Sequence, residues 1–325
     1  MQVEQSVFDQ WDKLGLRAAY GQMLLHLANS DPRLFALSAD LGRSSGLDRY
    51  ASTFPERYLG TGIAEQNMVG VASGLAASGF NVFASSFAPF ISMRAGDQVR
   101  MNLGYMGLPV TLVGLASGLS LGFLGSSHFG LEDLSVMGSI PGIEIVSPSD
   151  SRELFSVLVY ASTSQKPLYI RLTGASNLTR VSPEGATSLT DKEPRWLRPD
   201  HDGISIVTSG VMSATCLKVA ESLFSETGIS IGVLQANWLR PFSAKGLFSS
   251  SKVGTWFAVE EHSIRGGLGS EILRNLKHDD FTRPNVITLG IEETFPRGST
   301  YLTALSENGL DETGIINKIK LELKK

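Results

Sequence analysis

Two doubly wound α/β domains, a larger one followed by a smaller one, are the architecture these 325 residues predict. Short apolar runs alternate with segments of helical period, the pattern of a parallel sheet covered on both faces. That alternation stops between 181 and 202, where VSPEGATSLTDKEPRWLRPDHD is polar and holds Pro183, Pro194 and Pro199, and then resumes. Composition agrees: 42% hydrophobic and 18% charged residues, with 34 Gly and 13 Pro, describe an ordered, Gly-rich chain. The length suffices for two cores. We therefore place one domain at 1–180, a linker at 181–202 and a second domain at 203–325.

The elements follow in order. Trp11, Leu14, Ala18, Met23 or Leu24 and Leu27 recur at helical spacing and predict one helix over 10–29. LFALS at 34–38 reads as a buried strand, with Asp40 just past its end. A helix over 64–77, a strand over 80–84, a helix over 92–103 and a strand over 110–115 come next. A Gly-rich loop then leads to a helix at 131–137, a strand at 143–147, a helix at 151–162 and a strand at 167–172. Beyond the linker the periods give strands at 204–208, 229–234, 255–259 and 286–289. Helices are predicted at 211–224, 267–276 and 313–322.

Charge and cysteine content exclude several functions. Lys plus Arg number 28 against 32 Asp plus Glu, a net charge of −4, so no basic footprint for nucleic acid or anionic membrane exists. The lone Cys216 excludes an internal disulfide and a cysteine zinc cluster, and suits a reducing compartment. The opening MQVEQSVFDQWDK lacks the basic start and apolar run of a signal peptide. No run of about 18 apolar residues spans a bilayer. A cytoplasmic protein is expected.

Local motifs are weaker. Gly118-Leu-Ser120-Leu-Gly122 matches the G-x-S-x-G nucleophile elbow and follows an apolar strand. The elbow needs a helix directly after it, and GFLGSS follows instead. Gly60-Thr-Gly62-Ile-Ala-Glu65 half-matches a dinucleotide fingerprint, yet Glu65 would repel a pyrophosphate. No P-loop sequence occurs. Of the five histidines, His26 lies in an apolar helix, His201 in the linker and His278 in a polar segment after a helix; none forms an H-x-x-x-H pair. His128 differs, standing in a Gly-rich loop beyond a strand, where open α/β sheets bind ligands. Glu65 opens an apolar helix; by itself it is an acid favoured there by the helix dipole, worth about 0.3–1 kcal/mol.

Longer segments carry a resemblance. FPERYLGTGIAEQNMVGVASGLAASG, FASSFAPFISMRAGDQVRMN and SSHFGLEDLSVMGSIPGIEIVSPSD resemble the pyrimidine-binding domain of transketolase-type thiamine diphosphate enzymes. VEEHSIRGGLGSEI and GLDETGII are similar to the C-terminal domain of that family. The likeness covers nearly the whole chain and is greatest to the C-terminal subunit of split, two-gene transketolases. Deoxyxylulose-phosphate synthases and the β subunits of 2-oxo acid dehydrogenases share the domain pair.

The resemblance implies a division of labour. The family holds the diphosphate through a divalent metal on a separate domain with a GDG signature, and no GDG triplet occurs here. A partner polypeptide, in an α2β2 heterotetramer, would then carry Mg²⁺ or Ca²⁺, and this chain the aminopyrimidine. By the family pattern Glu65 is the carboxyl that exchanges a proton with that ring, and Phe87 and Phe90 flank it. Arg94 joins them as a cofactor-binding residue, His128 faces the reacting carbon and the substrate oxygen, and Asp40 belongs to the substrate rim. The implied reaction is transfer of a two-carbon ketol unit from a ketose to an aldehyde. A β-type subunit of a 2-oxo acid complex and a non-catalytic assembly partner remain alternatives. The substrate half departs from transketolases: Ala116 stands for a histidine, Leu124 for a hydroxyl-binding aspartate, and Thr173–Gly174 where a phosphate-binding arginine belongs, with Arg171 only nearby.

Overall fold

The computed structural model describes residues 3–183, 191–200, 202–243, 254–276 and 284–324, so His201 and His278 lie outside the described residues. Its first sheet contains β1 (Leu34–Ser38), β2 (Tyr58–Gly60), β3 (Asn81–Phe87), β4 (Val110–Ser117), β5 (Glu144–Val146) and β6 (Leu168–Thr173). The second contains β7 (Arg195–Arg198), β8 (Ile204–Thr208), β9 (Gly232–Gln235), β11 (Thr255–Ser263) and β12 (Asn285–Ile291), while β10 (Trp238–Arg240) returns to the first. Strand order is β10-β5-β6-β4-β3-β1-β2 in one and β12-β11-β8-β9-β7 in the other. All pairings are parallel except the edge strands β10 and β7, which run antiparallel. The all-parallel expectation is corrected at these two edges. Both are three- or four-residue strands without alternation, so only pairing to a neighbour makes them visible.

The predicted strands recur with shifted ends, and β7 arises within the segment read as a linker. The single helix expected over 10–29 is instead two, α1 (Gln5–Leu14) and α2 (Leu16–Ala28). They break at Gly15, which has φ 83° and ψ 160°; a Cβ there would sit 2.1 Å from the Ala175 carbonyl oxygen. Such a backbone is open only to glycine. Both helices pack into one core, through Phe8 and Trp11 before the joint and Leu16 and Tyr20 after it, so apolar periodicity alone hides the break.

Further helices are α3 (Asp48–Thr53), α4 (Glu65–Ala77), α5 (Gly96–Gln98), α6 (Asp133–Ser139) and α7 (Ser151–Thr163) in the first domain. The second holds α8 (Met212–Thr227), α9 (Leu268–Asn275), α10 (Tyr301–Glu307) and α11 (Glu312–Glu322). Around α5 the helix predicted at 92–103 winds as two π-helical stretches, Phe90–Arg94 and Val99–Tyr105. One face of the first sheet is covered by α1, α2 and α7 through Trp11, Tyr20, Leu24 and Leu154. The other packs on α4, the π-helical run and α6 through Met68, Ile91, Leu103 and Met137. That core continues into the second domain through Leu234, Trp256, Leu268 and Ile272. Opposite, α8 and α11 close the second sheet with Met212, Val219, Ile315 and Ile319. Cys216 is buried in α8, and burial pushes its thiol up to about 12. Among the described residues, no helix is long and apolar enough to cross a membrane.

Candidate active site

Because β1, β3 and β4 are parallel neighbours, the loops leaving their carboxyl ends emerge on one side. The segment after β2 delivers Glu65 to that side as the first residue of α4. Its side chain is almost wholly buried, at 1% exposure. Oε1 accepts a 2.8 Å hydrogen bond from Ser86 Oγ on β3, and Oε2 accepts one of 2.7 Å from the Arg94 guanidinium. A buried carboxylate is tolerated only when paired in this way. Three elements therefore converge on Glu65, more than a helix-terminal acid requires.

Arg94 lies in the first π-helical stretch, half-exposed, with its guanidinium 4.4 Å from the centroid of the Phe90 ring. Phe87 ends β3, and its ring lies 6.2 Å from that of Phe90 in a tilted pair. His128 presents an edge to both, at 5.2 Å from Phe90 and 6.1 Å from Phe87. Its Nδ1 lies 2.9 Å from Ser127 Oγ. Glu65, Arg94, Phe90, Phe87 and His128 thus form one connected cluster. Asp40 makes none of these contacts; it is exposed, with φ 59°, two residues beyond β1.

Neutral and charged chemistry alternate across the cluster. Two phenyl rings offer stacking faces to a flat heteroaromatic ring. The carboxylate keeps spare lone pairs on both oxygens after accepting from Ser86 and Arg94. These residues fit an aminopyrimidine, which brings ring nitrogens for the carboxyl and a face for the rings. Among the described residues, no group of three His, Cys, Asp or Glu stands where it could hold a metal ion.

The loop that carries His128 is closed at its neck by paired backbone hydrogen bonds between Gly118 and Gly130, 2.8 and 3.0 Å. Within it Ser120 Oγ donates to the Ser117 carbonyl at 2.9 Å rather than to a histidine, and a 3-10 turn, Gly122–Ser127, follows. Ala116 is buried and Leu124 is 40% exposed. Arg171, two residues before Thr173, is turned inward. Its Nε donates to Asp133 at 3.0 Å, and its Nη2 to the Gly130 and Glu261 carbonyls at 3.0 and 2.9 Å.

Sequence reasoning passed over Ser86, Glu260, Glu261 and His262. Ser86 could have been noticed as one of two adjacent serines in an otherwise apolar buried strand. The other three end a nine-residue strand whose burial continues through them, a pattern that reads as core. Glu260 accepts from the Leu268 and Gly269 amides opening α9, at 2.7 and 3.1 Å, yet burial pushes it up to about 7. His262 is pulled down to about 4 by burial; it accepts from the Leu134 amide at 3.2 Å.

With this arrangement in place, comparison with known proteins gives the class. The transketolase pyrimidine-binding domain family matches residues 12–177, and the transketolase C-terminal domain family matches 195–315. The chain belongs to the transketolase family. Within it the chain is a C-terminal subunit of the split, transketolase-like type. A Methanocaldococcus jannaschii protein named as a transketolase C-terminal section is 31% identical over 312 residues, covering 96% of this chain and 97% of that protein. A 6-deoxy-6-sulfo-D-fructose transketolase subunit of Clostridium sp. (strain MSTE9) is 37% identical over 256 residues, 78% of each chain. A split-gene transketolase solved as an inactive β4 tetramer superposes with a TM-score of 0.85 at 31% identity, over 96% of this chain and 99% of that one. Full-length transketolase of Campylobacter jejuni shares the fold, with a TM-score of 0.79 at 20% identity, but this chain spans only 47% of it.

Proposed function

We propose that this chain supplies the pyrimidine half of a thiamine diphosphate site and, with a partner polypeptide, transfers a two-carbon ketol unit from a ketose donor to an aldehyde acceptor. The observation that carries the reading is the convergence of buried Glu65 with Phe87, Phe90, Arg94 and His128 beyond the carboxyl ends of the first sheet's strands. Thiamine diphosphate, when bound, supplies the nucleophilic carbon that the twenty amino acids lack. Glu65 would exchange a proton with the pyrimidine ring nitrogen, its position held by Ser86 and Arg94. Phe87 and Phe90 would orient the ring, and His128 would donate to the substrate oxygen as charge develops there. Asp40 would border the substrate entrance. In this reading the pyrimidine domain is 1–180 and the C-terminal domain 203–325, joined through 181–202, whose β7 is added to the edge of the second sheet.

The diphosphate and its Mg²⁺ or Ca²⁺ would belong to the partner, since no GDG triplet stands in these 325 residues and the split relatives match over nearly their full lengths. An α2β2 assembly in the cytoplasm is the form we propose. By the resemblance, Leu124, Ala116 and Thr173–Gly174 stand where transketolases make three polar contacts to a pentose phosphate, and the nearby Arg171 is turned inward. The Clostridium relative is named as a 6-deoxy-6-sulfo-D-fructose transketolase subunit, which supports a donor whose handle is not an ordinary phosphate. The decisive experiment is hydrogen–deuterium exchange at C2 of the bound cofactor, with wild-type chain and Glu65→Gln assembled with the partner. Exchange lost in the variant supports the reading; exchange as fast as wild type overturns it.

A further inference from the structure

Among the described residues, no second-domain side chain joins the hydrogen bonds and ring contacts around Glu65, yet that domain grips the loop that carries His128. Glu261, fully inside the junction at the end of β11, receives the Leu119 amide on Oε1 at 2.7 Å. Its Oε2 receives the Tyr301 hydroxyl, from the first turn of α10, at 2.9 Å. Leu119 adjoins Gly118, one of the two residues of the loop's neck. Gly118 has φ 68°, and a Cβ on it would stand 2.2 Å from Glu261 Oε1, so the carboxylate packs against bare backbone. The other neck residue, Gly130, is tied through its carbonyl to Arg171, whose same Nη2 also holds the Glu261 carbonyl. Farther out, Ser126 Oγ donates to the Pro296 carbonyl at 2.6 Å, and the Ser299 amide donates to the Gly122 carbonyl at 2.9 Å.

We propose that Glu261 is a positioning residue: its buried carboxylate, braced by Tyr301, fixes the neck of the 118–130 loop and thereby the place of His128 against Phe87 and Phe90. The inference rests on the reading of His128 as the group facing the substrate oxygen. A charge-assisted hydrogen bond to a backbone amide defines position more tightly than apolar packing does. A displacement of about 1 Å in a reacting group costs on the order of 10²-fold in rate.

The test compares Glu261→Ala, Glu261→Gln and Tyr301→Phe in the full chain. Backbone amide exchange over 118–130 reads the clamp without any turnover. Steady-state kinetics with the partner-assembled enzyme read its consequence. In Glu261→Ala, exchange over 118–130 should rise about tenfold or more while amides of α2 and α7 stay protected, and kcat should fall about 10–100-fold with KM changed less than about threefold. Glu261→Gln keeps an acceptor for the Leu119 amide and should recover most of both; Tyr301→Phe should fall between. A residue that merely joins the domains would lower the unfolding midpoint and leave kcat and loop exchange at wild-type values in the folded fraction, which overturns the proposal. Unchanged loop exchange in a folded Glu261→Ala overturns it whatever the kinetics. If no sugar is turned over by any form while loop exchange rises, the functional reading fails and the positioning of the loop by Glu261 stands.

Discussion

Glu65 gains its chemistry from where its oxygens go. With one oxygen on Ser86 and the other on Arg94, the carboxyl is held rigidly at the helix start, with lone pairs to spare. Glu65→Gln keeps the shape and an acceptor but cannot exchange a proton as a carboxyl does. It should retain the fold, since half-exposed Arg94 can turn to water, and lose turnover to below about a thousandth of wild type. Circular dichroism and steady-state rates of the assembled enzyme check both halves. If His128 has its proposed role, His128→Ala should slow every donor by about 10²-fold or more, because its contact would be to an oxygen all donors share. Glu260 supports a prediction about stability. Burial raises it from an ordinary 4.5 to about 7, so the folded chain binds its proton more tightly than the unfolded chain does. Its favourable contribution is fully present below about pH 4.5 and is lost as pH rises through about 7. His262, pulled down to about 4, acts oppositely: the unfolded chain takes up the proton first, so acid below about 6.5 destabilises. Glu260→Gln cannot ionise, so its stability relative to wild type should improve as pH rises from 5 to 8, measured by urea unfolding. A constant difference across that range would place the ionisation of Glu260 elsewhere.

Elements decide how these residues meet. The joint between α1 and α2 exists because Gly15 adopts a backbone no side chain tolerates, next to the Ala175 carbonyl. Gly15→Ala should therefore destabilise by about 2–3 kcal/mol, visible as a lower urea midpoint at unchanged slope. On the proposed function, the 118–130 loop would bear on substrate choice. By the resemblance, Leu124 in it and Ala116 at the end of β4 stand where transketolases have polar contacts, and Arg171 beneath it is committed to Asp133 and two carbonyls. Each charge-assisted bond removed is worth about 1.5–3 kcal/mol. Xylulose 5-phosphate with ribose 5-phosphate should then show kcat/KM lower by roughly 10²-fold or more than the native pair. A sulfonated ketose tested alongside gives the comparison. Efficient turnover of the pentose phosphates would mean that the partner supplies the missing contacts.

At the scale of the whole molecule, the chain should not act alone. On the proposed division of labour these 325 residues, given thiamine diphosphate and Mg²⁺, should show no ketol transfer, and titration calorimetry should find only weak cofactor binding. Addition of the partner should restore both. Full activity from the isolated chain would overturn the two-subunit assignment. Much of this was legible from the amino acids. Strands β1, β4, β6 and β8, the start of α4, and the identities of Glu65, Phe87, Phe90 and His128 follow from apolar periods and from segments long enough to carry a family resemblance. Such signals are local: a strand declares itself when six neighbours are apolar, and a motif when its residues are consecutive. The edge strands β7 and β10, the break at Gly15, and the contacts of Ser86, Arg171, Glu261 and Tyr301 are visible only in the tertiary structure. Each depends on a partner far away in the chain, such as Leu119 for Glu261 or Ala175 for Gly15, and no local pattern records which distant backbone group will arrive there. The amino acids alone thus determined the two α/β layers and the inventory of reactive groups. Packing one domain against the other decided which buried charges face one another and where the histidine loop stands, because burial turns each unpaired polar atom into a cost that only a specific neighbour removes.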